Sequence, residues 1–178
     1  MKKSFTATAE DHRIAYLAAL AIGLSLAEAV VPSPLPGVKP GLANIVTLIV
    51  LDRYGWRVAA WVSILRVVAG SILLGTFLSP SFVLSLTGAV AALLALALTR
   101  PLPARLFGPV SHSIAAAAAH IAAQLAVVYL WFIPHAGLAY LVPVFAAAAL
   151  LFGTLNGIAV AAILGRMNDP RRPVTATT

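Results

Sequence analysis

Arg66 is the residue whose type and position most need a chemical explanation. It lies in an apolar stretch that contains no other charged residue between Arg57 and Arg100. Such a stretch places the guanidinium within a lipid bilayer, at a cost of about 2.5–3.5 kcal/mol on insertion scales. Intramembrane charges usually face a bundle interior, where they meet a partner, a water-filled cavity or a ligand. Arg66 is therefore either part of a structural ion pair or an anion-binding group.

Three other residues could act together with Arg66. Glu28 falls inside a predicted helix and is either the salt-bridge partner of Arg66 or a second polar group in the same cavity. Lys39 precedes a short helix whose amide end also favours negative charge. Asn44, one turn into that helix, bonds either another helix or a ligand. The functional hypothesis unites Glu28, Lys39, Asn44 and Arg66 around one small anionic molecule.

The remaining polar residues within apolar stretches are predicted to serve packing. His112, His120 and Gln124 fall on one predicted helix and Asn156 on the next, without a nearby carboxylate in sequence. A metal site needs more ligands than these, so no metal and no cofactor is predicted. The chain has no cysteine, which excludes thiol catalysis and disulfides. Without a Walker A motif or an Asp-rich pair, the protein is predicted to be non-catalytic.

The composition is that of a polytopic helical membrane protein. Of 178 residues, 61% are hydrophobic and 10% are charged. The apolar runs are continuous over helical lengths, which favours an all-α bundle over a membrane barrel. The net charge of +7 arises from Lys and Arg scattered at segment ends. Because they form no patch with interleaved aromatic residues, no nucleic-acid partner is predicted.

Six transmembrane helices are predicted from the apolar runs. The second contains eleven residues and would rise about 17 Å, short of a hydrocarbon core of about 30 Å. It is either a short helix prolonged by irregular structure or a re-entrant segment. The predicted runs are Ile14 to Val31, Gly41 to Leu51, Val58 to Leu78, Phe82 to Leu98, Val110 to Ile133 and Leu138 to Leu164.

The distribution of basic residues favours six crossings with both termini cytoplasmic. In that topology Lys39 lies outside, Arg66 lies in the membrane, and the other ten basic residues lie inside. A re-entrant second segment would instead leave three basic residues on one side and eight on the other. The ten inside are Lys2, Lys3, Arg13, Arg53, Arg57, Arg100, Arg105, Arg166, Arg171 and Arg172.

The predicted organisation is a single membrane domain with short polar ends. Residues 1–13 form a cytoplasmic segment, residues 14–165 the transmembrane domain, and residues 166–178 a disordered cytoplasmic tail. Cleavage of residues 1–29 as a signal peptide is an alternative, since Ala27-Glu28-Ala29 has the A-x-A form. Ala15 and Ala19, spaced four apart, are predicted to contact a partner helix.

A family resemblance is carried by Glu28, by the stretch from Pro32 to Thr47, and by three short motifs: Leu65-Arg66-Val67, Gly70-Ser71 and Gly75 to Pro80. This pattern resembles the bacterial Gx transporter family, also called heptaprenyl diphosphate synthase component I. The family is similar to the S components of energy-coupling-factor transporters. The resemblance implies six helices, cytoplasmic termini, an outward-opening ligand pocket, and alanine-rich faces that dock on a coupling subunit.

Two functions are favoured at this point, ahead of a third, a stand-alone proton- or sodium-coupled carrier for which Glu28 is the one candidate coupling carboxylate. The first is an inner-membrane substrate-binding protein of a bacterium, which transports a small anionic molecule with an ATPase and a coupling subunit as partners. The second is a non-catalytic membrane subunit of an isoprenoid, quinone or redox-cofactor system, whose partner is a prenyl synthase or a redox subunit. Both place the chain in the lipid bilayer with a small-molecule ligand.

Overall fold

The protein is all-helical in the parts that a computed structural model describes, residues 8–30, 41–103 and 107–167. A π-helical turn, Val128–Phe132, extends α4, and a 3-10 helix, Ala136–Leu141, precedes α5. The predicted all-α class is confirmed. The five α-helices are α1 (Ala9–Val30), α2 (Leu42–Leu73), α3 (Pro80–Thr99), α4 (Pro109–Val127) and α5 (Val142–Met167).

Local sequence explains where several of these helices begin. Thr8 and Asp11 cap α1 reciprocally, because the Thr8 amide donates to the Asp11 carboxylate while the Asp11 amide donates to Thr8 Oγ1. Ser79 accepts from the Phe82 amide at the start of α3, and Pro80 follows it in the first turn. Pro109 begins α4 in the same way.

The helices are long and apolar enough to make this a multi-pass membrane protein. Four described segments meet that standard of length and composition, and α1 is not among them. The first turn of α1 carries Glu10 and Asp11, and Glu28 lies near its end. The four segments are Leu42–Leu73, Pro80–Thr99, Pro109–Phe132 and Ala136–Met167.

The described residues contain five α-helices where six are predicted. The predicted second and third helices adjoin in α2, because the polar interval between them is helical on both sides of Gly55. Gly55 interrupts it with a φ of 81° and a ψ of −179°, a conformation that favours glycine. Arg66 nevertheless hydrogen-bonds Asn44, 22 residues away, which a straight helix would hold about 33 Å apart. Residues 42–54 and 56–73 therefore fold back on each other at Gly55.

Close backbone contact joins α4 and α5, which pack extensively against each other. A Cβ at Gly153 would lie 2.9 Å from Ile114 Cα, and one at Gly157 would lie 2.5 Å from Val110 Cα. Glycine at these positions lets the two helix backbones approach where a larger residue would collide. In addition, α1 packs against α2 and α3 packs against α4.

The bundle has two chemically different ends. One end, here called the arginine end, joins the start of α1 to the Gly55 bend, as the guanidinium of Arg13 lies 4.9 Å from the Tyr54 ring centroid. The end of α3 and the start of α4 meet there too, where His112 Nε2 lies 3.4 Å from Thr99 O. The opposite end, here called the cavity end, holds the end of α1, both ends of α2 and the start of α3. Described arginines at the arginine end are Arg13, Arg53, Arg57, Arg100 and Arg166.

Candidate functional site: a polar cavity around Arg66

A cavity of about 280 Å³ lies inside the bundle toward the cavity end. All five helices contribute to its wall, which combines apolar side chains with serines, amides and an imidazole. Ligand pockets are typically apolar clefts with a few well-placed polar groups, and this one is near the small end of their usual size range of about 300–1,000 Å³. The cavity is therefore large enough for a small molecule.

Arg66 projects from the second half of α2 into the cavity wall. Its Nη2 donates to Asn44 Oδ1 at 3.3 Å, across the bend in α2. Its Nε is buried and has no hydrogen-bond partner among the described residues. A guanidinium carries five N–H donors, so most of its donor capacity is not used by Asn44. The predicted cation is thus in a cavity, beside the predicted amide.

Glu28 is buried at 6% exposure and also lines the cavity. Its carboxylate Oε1 accepts a hydrogen bond from the Leu42 amide, one of the donors that the first turn of α2 leaves unpaired. Gly41, the N-cap of α2, has a φ of 75° and no side chain that could accept this bond. A carboxylate from α1 therefore caps α2, where the helix dipole also favours negative charge.

This cap changes two expectations. The hydrogen bonds described for Glu28 and Arg66 go to Leu42 and Asn44 respectively, so each charge has a partner other than the opposite charge. The amide end of α2, predicted to attract a ligand, already receives the protein's own carboxylate. Lys39, predicted to act at the same place, lies outside the described residues.

Asn156 reaches the same region from α5. Its Nδ2 donates to Gly41 O at 3.3 Å, so it holds the turn that precedes α2. A Cβ at Gly41 would lie 3.2 Å from that amide nitrogen, which explains the absence of a side chain there. Asn156, which is predicted to serve packing, also lines the cavity.

His120 and Gln124 form the α4 side of the cavity. Gln124 Nε2 donates to Leu84 O of α3 at 3.2 Å. The His120 ring packs against Gly88, where an added Cβ would lie 2.6 Å from two ring atoms. His120 Nδ1 is buried without a hydrogen-bond partner in the described part of the chain. The spacing of the two residues showed that they share a helix face, but it could not show what that face meets.

The other predicted residues lie away from the cavity. Ala15 and Ala19 are exposed on α1, and a Cβ added at Gly23 on the same helix would meet nothing within 4 Å. Within residues 8–30, 41–103 and 107–167, no three His, Asp or Glu side chains are close enough to hold a metal ion. The described cavity wall supplies a positive charge, a carboxylate and neutral hydrogen-bonding groups, and such groups can bind a small polar molecule.

Comparison with known proteins identifies the family to which the chain belongs. The family profile of heptaprenyl diphosphate synthase component I matches residues 17–163, a range that includes every residue lining the cavity. No curated protein and no solved structure matches the chain significantly. The family match covers most of the sequence, including all five helices in whole or in large part. This protein therefore belongs to the heptaprenyl diphosphate synthase component I family.

Proposed function

We propose that the protein is a non-catalytic membrane protein that binds a small anionic molecule in the cavity around Arg66. The observation that carries this proposal is the guanidinium itself, which lines a cavity within an apolar bundle and has a buried Nε without a described partner. A group of this kind is expensive to keep in a membrane. An anionic ligand would offset that cost through charge-assisted hydrogen bonds.

Transport is the first form of this function. In it, the chain acts as the substrate-binding component of an energy-coupling-factor type transporter in the bacterial inner membrane. Residues 42–54 and 56–73 cross separately, giving six crossings, cytoplasmic termini and a cavity end that faces outward. The reversal at Gly55 supports this topology, as does the concentration of arginines at the other end.

The coupling subunit and its ATPase would dock on α1 in this proposal. Ala15 and Ala19 are exposed there, and an added Cβ at Gly23 would have open space around it. Small residues four apart let a second helix approach closely. Docking on this face would let the partner tilt the bundle and open the cavity to the other side.

The second form is a non-catalytic subunit of an isoprenoid, quinone or redox-cofactor enzyme. The family description supports it, because a component I implies at least one further component. Here the partner would be a prenyl synthase or a redox subunit, and the chain would bind or deliver a small molecule to it. Co-purification separates the two forms, since an ATPase module supports the first and an enzyme subunit supports the second.

Native mass spectrometry tests the binding function. The protein is extracted gently from its own membrane, and the mass of any bound small molecule is compared between wild type, Arg66→Gln and Arg166→Gln. Arg166 is exposed at the arginine end and provides the matched loss of one charge. We expect a bound anionic molecule that Arg66→Gln loses and Arg166→Gln keeps. Equal occupancy in all three proteins would overturn the proposal.

A further inference from the structure

The two charges in the cavity indicate that the ligand carries a cationic group in addition to the anionic group that Arg66 binds. We infer that the cavity takes a small zwitterion, a molecule of amino-acid size that carries one carboxylate and one ammonium group. This inference rests on the proposed function, because it assumes that Arg66 binds the anionic group of the ligand. It adds that Glu28 receives the cationic group.

The described cavity wall carries one positive and one negative side chain. Arg66 is its one arginine or lysine, and Glu28 is its one carboxylate, among the described residues. A zwitterion matches this pair charge for charge. A diphosphate carries several negative charges, so it would bring unpaired charge beside Glu28 in a poorly solvated cavity, where such charge is costly.

The two charged side chains are both held in place near the start of α2. Glu28 is tethered to the Leu42 amide, and Arg66 is tethered to the side chain of Asn44. Leu42 and Asn44 are two residues apart on the first turn of α2, a rise of about 3 Å. Both charged side chains also line the same small cavity, so a single small molecule inside it can meet both.

Each charged group keeps hydrogen-bonding capacity for a ligand. A carboxylate offers about four acceptor sites and a guanidinium five donors. One acceptor oxygen of Glu28 bonds Leu42, and Nη2 of Arg66 bonds Asn44. The guanidinium of Arg66 therefore keeps N–H donors that Asn44 does not use, and these can bind a carboxylate through charge-assisted hydrogen bonds.

The size of the cavity also limits the ligand to a small molecule. Its volume of about 280 Å³ lies just below the usual range of ligand pockets, about 300–1,000 Å³. That volume suits an amino acid. A heptaprenyl chain with its diphosphate is several times larger and could not be enclosed.

Ligand binding by the full-length protein in lipid nanodiscs tests the inference. The probes are the standard amino acids, the deaminated acid that matches each one, dimethylallyl diphosphate and inorganic diphosphate. We expect at least one amino acid to bind, with an affinity at least about tenfold above that of its deaminated acid, since one charge-assisted contact is lost. Both diphosphates should bind more weakly than that amino acid.

Two variants assign this preference to the two charges. In Glu28→Gln the side-chain amide oxygen can still accept from Leu42, so α2 keeps its cap while the charge is removed. We expect this variant to lose the preference for the amino acid over its deaminated acid, and Arg66→Gln to lose binding of both. Thermal unfolding of each variant checks that the fold is retained.

Three results would overturn the inference: no binding of any amino acid, equal binding of an amino acid and its deaminated acid, or tightest binding of a diphosphate. None of them removes the proposed function if a co-purifying molecule still depends on Arg66. If Arg66→Gln retains every molecule that the wild type binds, the proposed function fails as well.

Discussion

Arginine occupies both ends of this bundle, but in opposite surroundings. At the arginine end, Arg53, Arg57 and Arg100 are exposed. Toward the cavity end, Arg66 lies within the bundle and bonds Asn44. Exposed arginines beside membrane segments remain in contact with water, and their distribution indicates topology. An arginine within the membrane costs free energy unless a partner, water or a ligand stabilises its charge. The same residue type is therefore exposed at one end and lines the cavity of the proposed binding site toward the other.

The centre of the bundle and the cavity wall also differ in how their side chains pack. A cluster of fully apolar side chains, including Val50, Val62, Leu96 and Val160, fills the centre of the bundle. The cavity wall instead contains polar groups such as Gln124 and Asn156, which bond backbone carbonyls of other helices. The apolar cluster provides a rigid support, and the polar wall leaves a space that a ligand can fill.

The largest effect is expected where this rigid support depends on backbone contact. Gly157→Ala would place a Cβ 2.5 Å from Val110 Cα, so α4 and α5 must separate. We expect a loss of about 2 kcal/mol in the free energy of unfolding, as for other overpacked interiors. Thermal or detergent-induced unfolding measures it.

Gly165→Ala is the control for that change, because an added Cβ there meets nothing within 4 Å. It should leave stability unchanged or slightly raised, since alanine favours the helix. Equal destabilisation by both variants would show that the α4–α5 contact is not what limits stability.

The next effect concerns the contrast between Arg66, which lines the cavity, and the exposed arginines. Arg66→Lys keeps the charge but replaces the planar fork with a single ammonium group. Affinity for the co-purifying molecule should fall about tenfold, which corresponds to about 1.4 kcal/mol. Titration of the purified variant measures it, and Arg166→Lys should bind as the wild type does. Unchanged affinity in Arg66→Lys would mean that charge alone, without the fork, holds the ligand.

A smaller effect is expected from the α3–α4 wall of the cavity. Gly88→Ala would place a Cβ 2.6 Å from His120 Cε1 and Nε2, so the imidazole must move. We expect weaker ligand binding by several-fold while the protein still folds, since a ring can shift more easily than a backbone.

Gly70→Ala gives the comparison for this wall. Gly70 also lines the cavity, but an added Cβ there has no atom within 4 Å to displace. Binding and stability are measured for both variants. A larger loss of binding in Gly70→Ala than in Gly88→Ala would show that cavity volume matters more than the position of His120.

The smallest effect is expected at the exposed start of α1. The Thr8 backbone amide, followed by the Thr8 hydroxyl, donates to Asp11 and holds the pKa of that carboxyl below its ordinary value. The capping contribution is therefore full above the ordinary carboxyl pKa and is lost as pH falls through the lowered one. Hydrogen exchange of the first-turn amides should accelerate below that point, relative to the intrinsic rate.

Asp11→Asn should remove this pH dependence, whereas Glu10→Gln in the same turn should keep it. An identical pH profile in wild type and Asp11→Asn would show that the Thr8 cap does not control fraying of α1.

Several features were predictable because they depend on residue types along the chain. Continuous apolar runs predicted the helical membrane class, and the lone charge in one run indicated Arg66 as a candidate binding residue. Polar residues are rare in such helices, so Asn44 and Glu28 were predicted to act together with Arg66. All three line one cavity. The structure has five α-helices rather than six because the two predicted helices on either side of Gly55 adjoin directly in α2, with only this one non-helical residue between them.

The partners of these residues depended on the tertiary structure. Periodicity placed His120 and Gln124 on one face of a helix, but only packing brought that face to Gly88 and Leu84. Composition marked Glu28 as a buried charge, but only the return of the chain to α2 made it a cap for Leu42. Hydrophobicity and charge are local properties, so they determine which segments enter the membrane. Hydrogen bonds between distant residues require a particular arrangement of helices, and the fold alone decides that.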